Sequence, residues 1–461
     1  MEYKTVSQSL EEARAGHDGS AAYRRLAALF DQGSFTELDM FSKNAEQGCE
    51  VLTGYGSIAG APAYAFSQNI EAAGGAMGRS QAAKIRRVYE LAEKTGLPVV
   101  GIYDSNGAHL TEGLDALHAY GELMQTASRL SGVVPQVSLV LGACAGSAAL
   151  MAAAADVVII SEDAQMYLTA PSIIGGEKAG VGSAKAVCQS GTAQVLAANE
   201  EEAIESARTL LSMLPSNNLS PVPAAEAVDA AGACEGGCVC RSLVDAGSVY
   251  KLSAEFAPLV HTALARIMGV TVGIVSTAAG EDGRLDSDSC RKAARFVRFC
   301  DTFAIPVVTL VDSVGLERSV EAELNSGIRD AAMLSSAYAE ATCPKISIVT
   351  GKAVGPVFSV LAGRGNADAV FATPQAVISP LPSETAVSIL WNDRIAAGEQ
   401  RPALIAEYEA TQASALKAAE MGYVDDVVEL ASLRTRLYVA LEMLAGKRAS
   451  TLAKKHSNMP L

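Results

Sequence analysis

The stretch AAKIRRVYELAEKTGLPVVGIYDSNGA, residues 82–108, returns later in the chain as CRKAARFVRFCDTFAIPVVTLVDSVGL, residues 290–316. The alignment superposes Lys84 on Lys292, Arg87 on Arg295, Pro98 on Pro306, Asp104 on Asp312 and Gly107 on Gly315, all at one offset of 208. A second pair follows at an offset of 209. There VPQVSLVLGACAG, residues 134–146, lies over CPKISIVTGKAVG, residues 343–355, matching Pro135 to Pro344, Ser138 to Ser347, Gly142 to Gly351 and Gly146 to Gly355. Ala155-Asp156 recurs as Ala367-Asp368. Ordered Pro, Gly, Asp and Lys matches at near-constant spacing read as a duplication, and a duplication sets the fold before any single element does.

Each copy carries the same order of elements. In the first, VLTGYGSIAG and APAYAFSQN read as β-segments, and Gln81 to Thr95 places Ile85, Val88, Leu91 and Ala92 at helical spacing. Leu97 to Tyr103 is a short apolar strand ending in Asp104, followed by a turn at Ser105-Asn106-Gly107 and a helix over about Asp115 to Leu130. Val137 to Ala155 is uncharged and nearly long enough to cross a bilayer, but Gly142 and Gly146 interrupt it. It reads as a buried strand, a turn and a buried helix. Such alternation predicts α/β layers with ligands gathered at strand ends. Between the copies runs a helix and then a Pro-, Asn- and Ser-rich stretch, placing the boundary near Ala231 and the domains at 1–230 and 231–461. Another helix is expected over about Ser432 to Ala445, ahead of a basic, frayed and solvated tail.

Composition narrows the function. With 461 residues, 51 acidic against 36 basic and a net charge of −15, the chain can bury two cores and is a poor partner for nucleic acid. Its start lacks a basic segment followed by an apolar one, so a cytoplasmic protein is expected. Nine scattered cysteines then imply reduced thiols; Cys234, Cys238 and Cys240 are crowded together, but their spacing matches no zinc module, and no metal is expected.

The strand-to-helix turn Gly142-Ala143-Cys144-Ala145-Gly146-Ser147 is the most informative site element. Glycines there let a substrate approach the backbone, and first-turn helix amides lack internal partners, which suits a developing oxyanion. The same glycines would also serve tight helix packing alone; recurrence at Gly351 to Gly355 favours function. Side-chain chemistry is sparse: no HExxH, Walker A, dinucleotide-binding glycine or paired CxxC motif occurs. His109 adjoins the Asp104 turn and reads as a packing or surface residue rather than a catalytic one. Ser147 reads poorly as a nucleophile, since its counterpart is Pro356 and no His and Asp pattern accompanies it. Glu112, the one nearby carboxylate, reads as a helix-start acid rather than a general base.

Across nearly its whole length the chain resembles the carboxyltransferase subunits of propionyl-CoA and acetyl-CoA carboxylases and the related subunits of methylmalonyl-CoA and glutaconyl-CoA decarboxylases. The resemblance is carried by RLAALFDQGSFTELDMF, LTGYGSI, AFSQNIEAAGGAMG, DSNGAHLTEGLDAL, GVVPQVSLVLGACAG, LLSMLPSNN, KAARFVRFCDTFAIPVVTLVD, AYAEATCPKISIVTGKAVG and GYVDDVVE, in that order. It implies two tandem crotonase-like domains of ββα-superhelix type, the first on the acyl-CoA side and the second on the biotin side, with active sites shared between subunits.

It further implies carboxyl transfer between an acyl-CoA and biotin on a separate carrier protein through an enolate, with no protein base. By position, the N–H groups of Gly146 and Ser147 would hold the enolate oxygen, and those around Gly355 and Val357 the ureido oxygen of biotin. Gly74, Gly75, Ala76, Gly107 and Ala108 would line the acyl-CoA path. The implied partners are a biotinyl carrier protein, a biotin carboxylase or a sodium-pump membrane decarboxylase subunit, and further copies of the chain in a hexamer. The family's second turn reads Gly-Gly-Ala-Tyr, whereas here it is Gly355-Pro356-Val357-Phe358, and proline has no N–H to donate. Asn106 and His109 stand where Gly and Arg are usual. Two rivals remain: a non-catalytic assembly subunit, which Pro356 favours, and a biotin-independent crotonase-type acyl-CoA enzyme, which would need a carboxylate such as Glu112.

Overall fold

The computed structural model describes residues 19–42, 49–230, 239–277, 283–449 and 452–458, with 5, 7, 11, 232 and 460 besides. Ala231, Cys234, Cys238 and His17 lie outside them. Two compact units result, Met1–Pro221 and Val222–Leu461. Residues just after Pro221 belong to the second unit because they pair with one of its hairpins: the Ala225 N–H donates to Gly269 O at 3.0 Å and Thr271 Oγ1 donates to Pro223 O at 3.0 Å.

In the first unit, β1 (Thr36–Leu38), β2 (Val51–Ile58), β3 (Ala61–Gln68), β4 (Val99–Ser105), β5 (Gln136–Ala145), β6 (Val157–Ser161) and β8 (Val195–Ala197) form one sheet in that order, with β7 (Gln165–Tyr167) beside the end of β5. Strands β1 to β3 are antiparallel; from β3 onward every pairing is parallel. Its principal helices are α1 (Ala21–Leu29), α2 (Arg79–Thr95), α3 (Leu114–Leu130), α4 (Ser147–Ala153) and α5 (Glu200–Leu211). Helix α2 buries Ala82, Ile85, Val88, Tyr89 and Ala92 along one face and stops at Gly96 in the left-handed region. It begins at Arg79, two residues before the start expected from periodicity. The cause is remote: the Glu112 carboxylate accepts the Arg79 N–H at 2.7 Å. As expected, the uncharged run from Val137 to Ala155 divides into β5 and α4, and among the described residues no helix is long and apolar enough to cross a membrane.

The second unit repeats the plan. β9 (Tyr250–Leu252), β10 (Val260–Ile267), β11 (Val270–Thr277), β13 (Val307–Ser313), β15 (Lys345–Val354), β16 (Ala369–Ala372) and β18 (Asp426–Val427) form its sheet, and β17 (Val377–Ser379) lies beside the end of β15. A two-stranded ladder of β12 (Arg284–Leu285) and β14 (Gly315–Leu316) stands apart. Its principal helices are α6 (Ser287–Thr302), α7 (Gly327–Glu340), α8 (Ser383–Leu390), α9 (Arg401–Thr411) and α10 (Leu430–Leu444). Each unit has its own core. Phe66, Ile85, Tyr103 and Leu123 sit in the first, and Ile274, Val308, Ile346 and Leu437 in the second.

Residues that recur between the two copies are ones that tie strands together. Pro98 O accepts the Tyr64 N–H at 2.9 Å, and Pro306 O accepts the Gly273 N–H at 2.8 Å. Asp156 Oδ2 accepts the Gln136 N–H at 2.8 Å, and Asp368 Oδ2 accepts the Lys345 N–H at 2.8 Å. The C-terminal tail departs from the solvated reading. Lys447 Nζ donates to Cys343 O at 2.9 Å and Asp368 Oδ2 at 2.8 Å, and Lys454 reaches Glu340 at 2.9 Å, so lysines that look like a loose basic end are tethered to the second unit.

Candidate active site

The site is built where β4 and β5 leave the first sheet. They run in parallel register to Tyr103↔Val140, lose it, and resume at Ser105↔Cys144, so β5 carries an irregularity opposite Asp104. Asp104 explains it. Its Oδ1 accepts the Ala143 N–H at 3.2 Å and its Oδ2 accepts from Arg25 Nη1 at 2.8 Å. Gly142 gives the carboxylate room: a Cβ there would lie 2.1 Å from Asp104 Oδ1. The second unit repeats the device, with register broken between Val311↔Val349 and Ser313↔Ala353 and the Lys352 N–H on Asp312 Oδ1 at 2.8 Å. The recurrent aspartates are therefore acceptors for backbone amides.

Beyond this point two amides face the same space. Ala108 follows Ser105, and Ser147 follows Cys144, each by three residues. Met77 pairs with the Ala108 segment through its N–H to Gly107 O at 2.7 Å and its O to the His109 N–H at 2.8 Å. In a parallel bridge of this kind the central residue of the partner, Ala108, points its own N–H the other way. Ser147 opens α4, so its N–H has no intrahelical acceptor.

Gly146 does not donate to this space, contrary to the sequence reading. Its N–H is bonded to Tyr167 O at 2.8 Å. Its part is conformational, since at φ 60° and ψ −123° it makes a turn that a side-chain-bearing residue would resist. Beside the bonded Gly146 N–H, the amides of Ala108 and Ser147 lie at the lining of one cleft.

Around these amides lies a cleft of about 710 Å³ lined by residues 106–111, 145–147, Ala73, Ala76, Tyr167, Leu168 and Ala170. Ala76, Gly107 and Ala108 are among the residues that line it. Gly74 and Gly75 do not: they let loops close behind the wall, since a Cβ on Gly75 would fall 2.2 Å from Asp104 O and one on Gly74 2.6 Å from Asn106 Nδ2. The lining includes one imidazole, His109, and one phenol, Tyr167. His109 is 6% exposed, with Nδ1 2.9 Å from Thr111 Oγ1. Glu112 is outside the lining, occupied at the start of α2. Burial pushes the Cys144 thiol up, so it stays protonated beneath the turn. Among the described residues no His, Cys, Asp and Glu cluster could hold a metal.

The corresponding corner of the second unit differs at its first helical residue and continues as a π-helix over Phe358–Ala362. Gly355 again has φ 60° and its N–H is bonded to Ser379 O at 2.8 Å, so it too is no donor to a ligand. Pro356 follows where Ser147 stands. Leu316 takes the place of Ala108, with the Glu317 N–H on Leu285 O at 2.9 Å as His109 is on Met77 O. Leu316 and Val357 are the residues of this corner that correspond to Ala108 and Ala148 of the first unit.

A model of the carboxyl transferase domain matches residues 17–459. The chain belongs to the carboxyl transferase family. It is 39% identical to the propionyl-CoA carboxylase beta chain of Saccharopolyspora erythraea, over 95% of this chain and 90% of the relative. Identity to the methylmalonyl-CoA decarboxylase subunit alpha of Veillonella parvula is 37%, over 95% of this chain and 93% of that one. Among solved structures, the transcarboxylase 12S hexamer with methylmalonyl-coenzyme A and methylmalonic acid bound is similar at a TM-score of 0.93 and 33% identity, covering 100% of this chain and 99% of its own. As a carboxyltransferase, the chain has the crotonase-like α/β fold that the resemblance implied.

No motif marks Arg25, Tyr167 or Leu168 as site residues. Arg25 meets Asp104 across 79 positions of sequence, and Tyr167 reaches the turn through a carbonyl, which any residue type could supply.

Proposed function

We propose that this carboxyltransferase moves a carboxyl group between an acyl-CoA thioester and biotin on a separate carrier protein, by way of a thioester enolate. The observation that carries the reading is the pair of uncommitted amides, Ala108 and Ser147, at a cleft without a free carboxylate. In the decarboxylating direction the bond from the α-carbon to the carboxyl group breaks as CO2 leaves, and its electron pair moves onto the thioester oxygen. Two N–H dipoles aimed at that oxygen offset the charge; removing one such donor costs about 3 kcal/mol of barrier. In the carboxylating direction the same amides stabilise the same enolate. Ala76, Leu168 and Ala170 give that space apolar walls.

Biotin, when bound, would accept the carboxyl group on its ureido nitrogen as that nitrogen's proton passes to the α-carbon, or supply it with the same proton returned. The second unit suits its ureido oxygen through the Leu316 and Val357 amides, with Gly355 shaping the turn; Pro356 removes the donor that Ser147 supplies in the first unit. The acyl-CoA side is thus assigned to the first unit and the biotin side to the second, and the carrier comes as a separate partner. Assembly with further copies, as in the transcarboxylase hexamer, fits the exposed apolar residues Leu110, Leu114, Ile173 and Leu324.

The test supplies purified chain with a biotinylated carrier protein and, in turn, malonyl-, methylmalonyl- and glutaconyl-CoA, and follows carrier-dependent loss of the carboxyl group. Carrier-dependent turnover of one of them is expected. Turnover that ignores the carrier would favour a biotin-independent crotonase-type enzyme. Complete inactivity here, with activity in a Pro356→Gly variant, would favour the assembly-subunit reading that Pro356 supports.

A further inference from the structure

We infer that Asp104, clamped by Arg25, is a positioning residue that sets the spacing of the Ala108 and Ser147 amides; this rests on the enolate reading above. Asp104 bridges the two strands carrying those amides at the irregularity between them. Its backbone belongs to β4, four residues before Ala108, and its Oδ1 holds the Ala143 N–H on β5, four residues before Ser147. A shift of the carboxylate would therefore move one amide relative to the other.

Arg25 keeps that carboxylate in place. The two side chains are 7% and 8% exposed and meet at 2.8 Å. The guanidinium also donates through Nη2 to Leu141 O at 3.5 Å, on the irregular part of β5, and through Nε to Glu200 at 2.9 Å, at the start of α5. A planar fork fixed on three acceptors has one orientation, which a point charge would not have. From the other side, the Asp104 N–H donates to Gln68 Oε1 at 3.3 Å; Gln68 donates to Gln81 at 2.8 Å, and Gln81 Nε2 donates to Gly75 O and Ala76 O at 3.2 Å. The network thus extends from α1 to the cleft wall at Ala76.

The second unit provides the contrast. Asp312 makes the same amide bond to Lys352, yet among the described residues it has no ion-pair partner. The clamp belongs to the unit that holds the acyl cleft. Buried ion pairs are weak stabilisers compared with well-packed apolar replacements, and their better-attested use is to enforce one arrangement. Removing one partner leaves the other charge buried and costs stability, so a loss of stability alone does not identify the clamp's role, and the readout that does is one that stability would not move.

Asp104→Asn tests this in the full chain, because asparagine keeps an acceptor for Ala143 and removes the charge that holds Arg25. Two measurements are made: transfer from methylmalonyl-CoA to free biotin, and affinity for a CoA thioether bearing a secondary nitroalkyl group against the same thioether without it. The nitronate places charge on oxygen as an enolate does. A misplacement of about an ångström can cost on the order of 100-fold, so kcat should fall about 10- to 100-fold with KM for the acyl-CoA nearly unchanged. The preference for the nitronate should fall by a similar factor. A purely structural role would lower the melting temperature and leave that preference intact. Arg25→Lys, which keeps the charge and loses the fork, should give a smaller loss in the same direction, and it carries the test if Asp104→Asn does not fold. A wild-type chain with no nitronate preference and no transfer overturns the enolate reading. A wild-type preference that both variants retain, with kcat unchanged, overturns the positioning role alone.

Discussion

Ser147 and Pro356 occupy the same place in the two repeats. Each follows a glycine at φ 60° whose own N–H is bonded, at 2.8 Å, to the neighbouring strand end, Tyr167 O in one case and Ser379 O in the other. One residue has an amide to offer and the other has none.

The second repeat therefore shows that this corner folds with proline in it, and proline is favoured at the first position of a helix. Ser147→Pro should keep the fold while removing one enolate donor. Steady-state carboxyl transfer should fall about 100- to 1000-fold, with little change in melting temperature. Ser147→Ala, which keeps the amide, should stay within about threefold of wild type. A large loss in the alanine variant would instead make the hydroxyl a participant.

The converse substitution, Pro356→Gly, adds a donor on the biotin side. Transfer to free biotin should rise by about tenfold, short of the full effect of one oxyanion donor because Val357 and Leu316 already supply amides. The measurement is kcat with biotin as the varied substrate; no change would show that the ureido oxygen does not reach position 356.

Glu112 caps α2 through the Arg79 N–H at 2.7 Å. In Glu112→Gln the amide oxygen can still accept that bond, so thermal unfolding should shift by less than about 1 kcal/mol and turnover should hold within about twofold. A drop of two orders of magnitude would make the carboxylate a proton-transfer group after all.

Acid should weaken the join between α1 and the β2–β3 hairpin. The Gly60 N–H, and after it Arg208, holds the Asp31 carboxyl at about 2, below its ordinary 3.8. A carboxyl depressed on folding adds stability above its unfolded value and loses it as the folded group protonates. Urea midpoints should accordingly decline between pH values of about 4 and 2 by more in the wild type than in Asp31→Asn. Parallel profiles would show that Asp31 has no part in the loss.

What could be read from the sequence was what chain neighbours determine. The strand ending at Asp104, the helix ending at Gly96 and the glycine turns follow from spacing, and the duplication follows from alignment. Misreadings arose where a partner lies far along the chain. Nothing in GACAGS tells that Tyr167, 21 residues on, takes the Gly146 N–H. Periodicity starts α2 at Gln81 because the acceptor that extends it to Arg79 is Glu112, 33 residues away. The tail lysines looked solvated because Asp368 and Glu340, which hold them, belong to other elements.

The turns at Gly146 and Gly355 are each closed by a hydrogen bond to the adjoining strand in the same unit. Neither waits for substrate to take shape, so substitution at one leaves the other's geometry alone. A duplicated gene gains latitude from that independence: one copy could exchange an amide for a ring while its twin conserved the original chemistry, and the two could diverge on a shared scaffold.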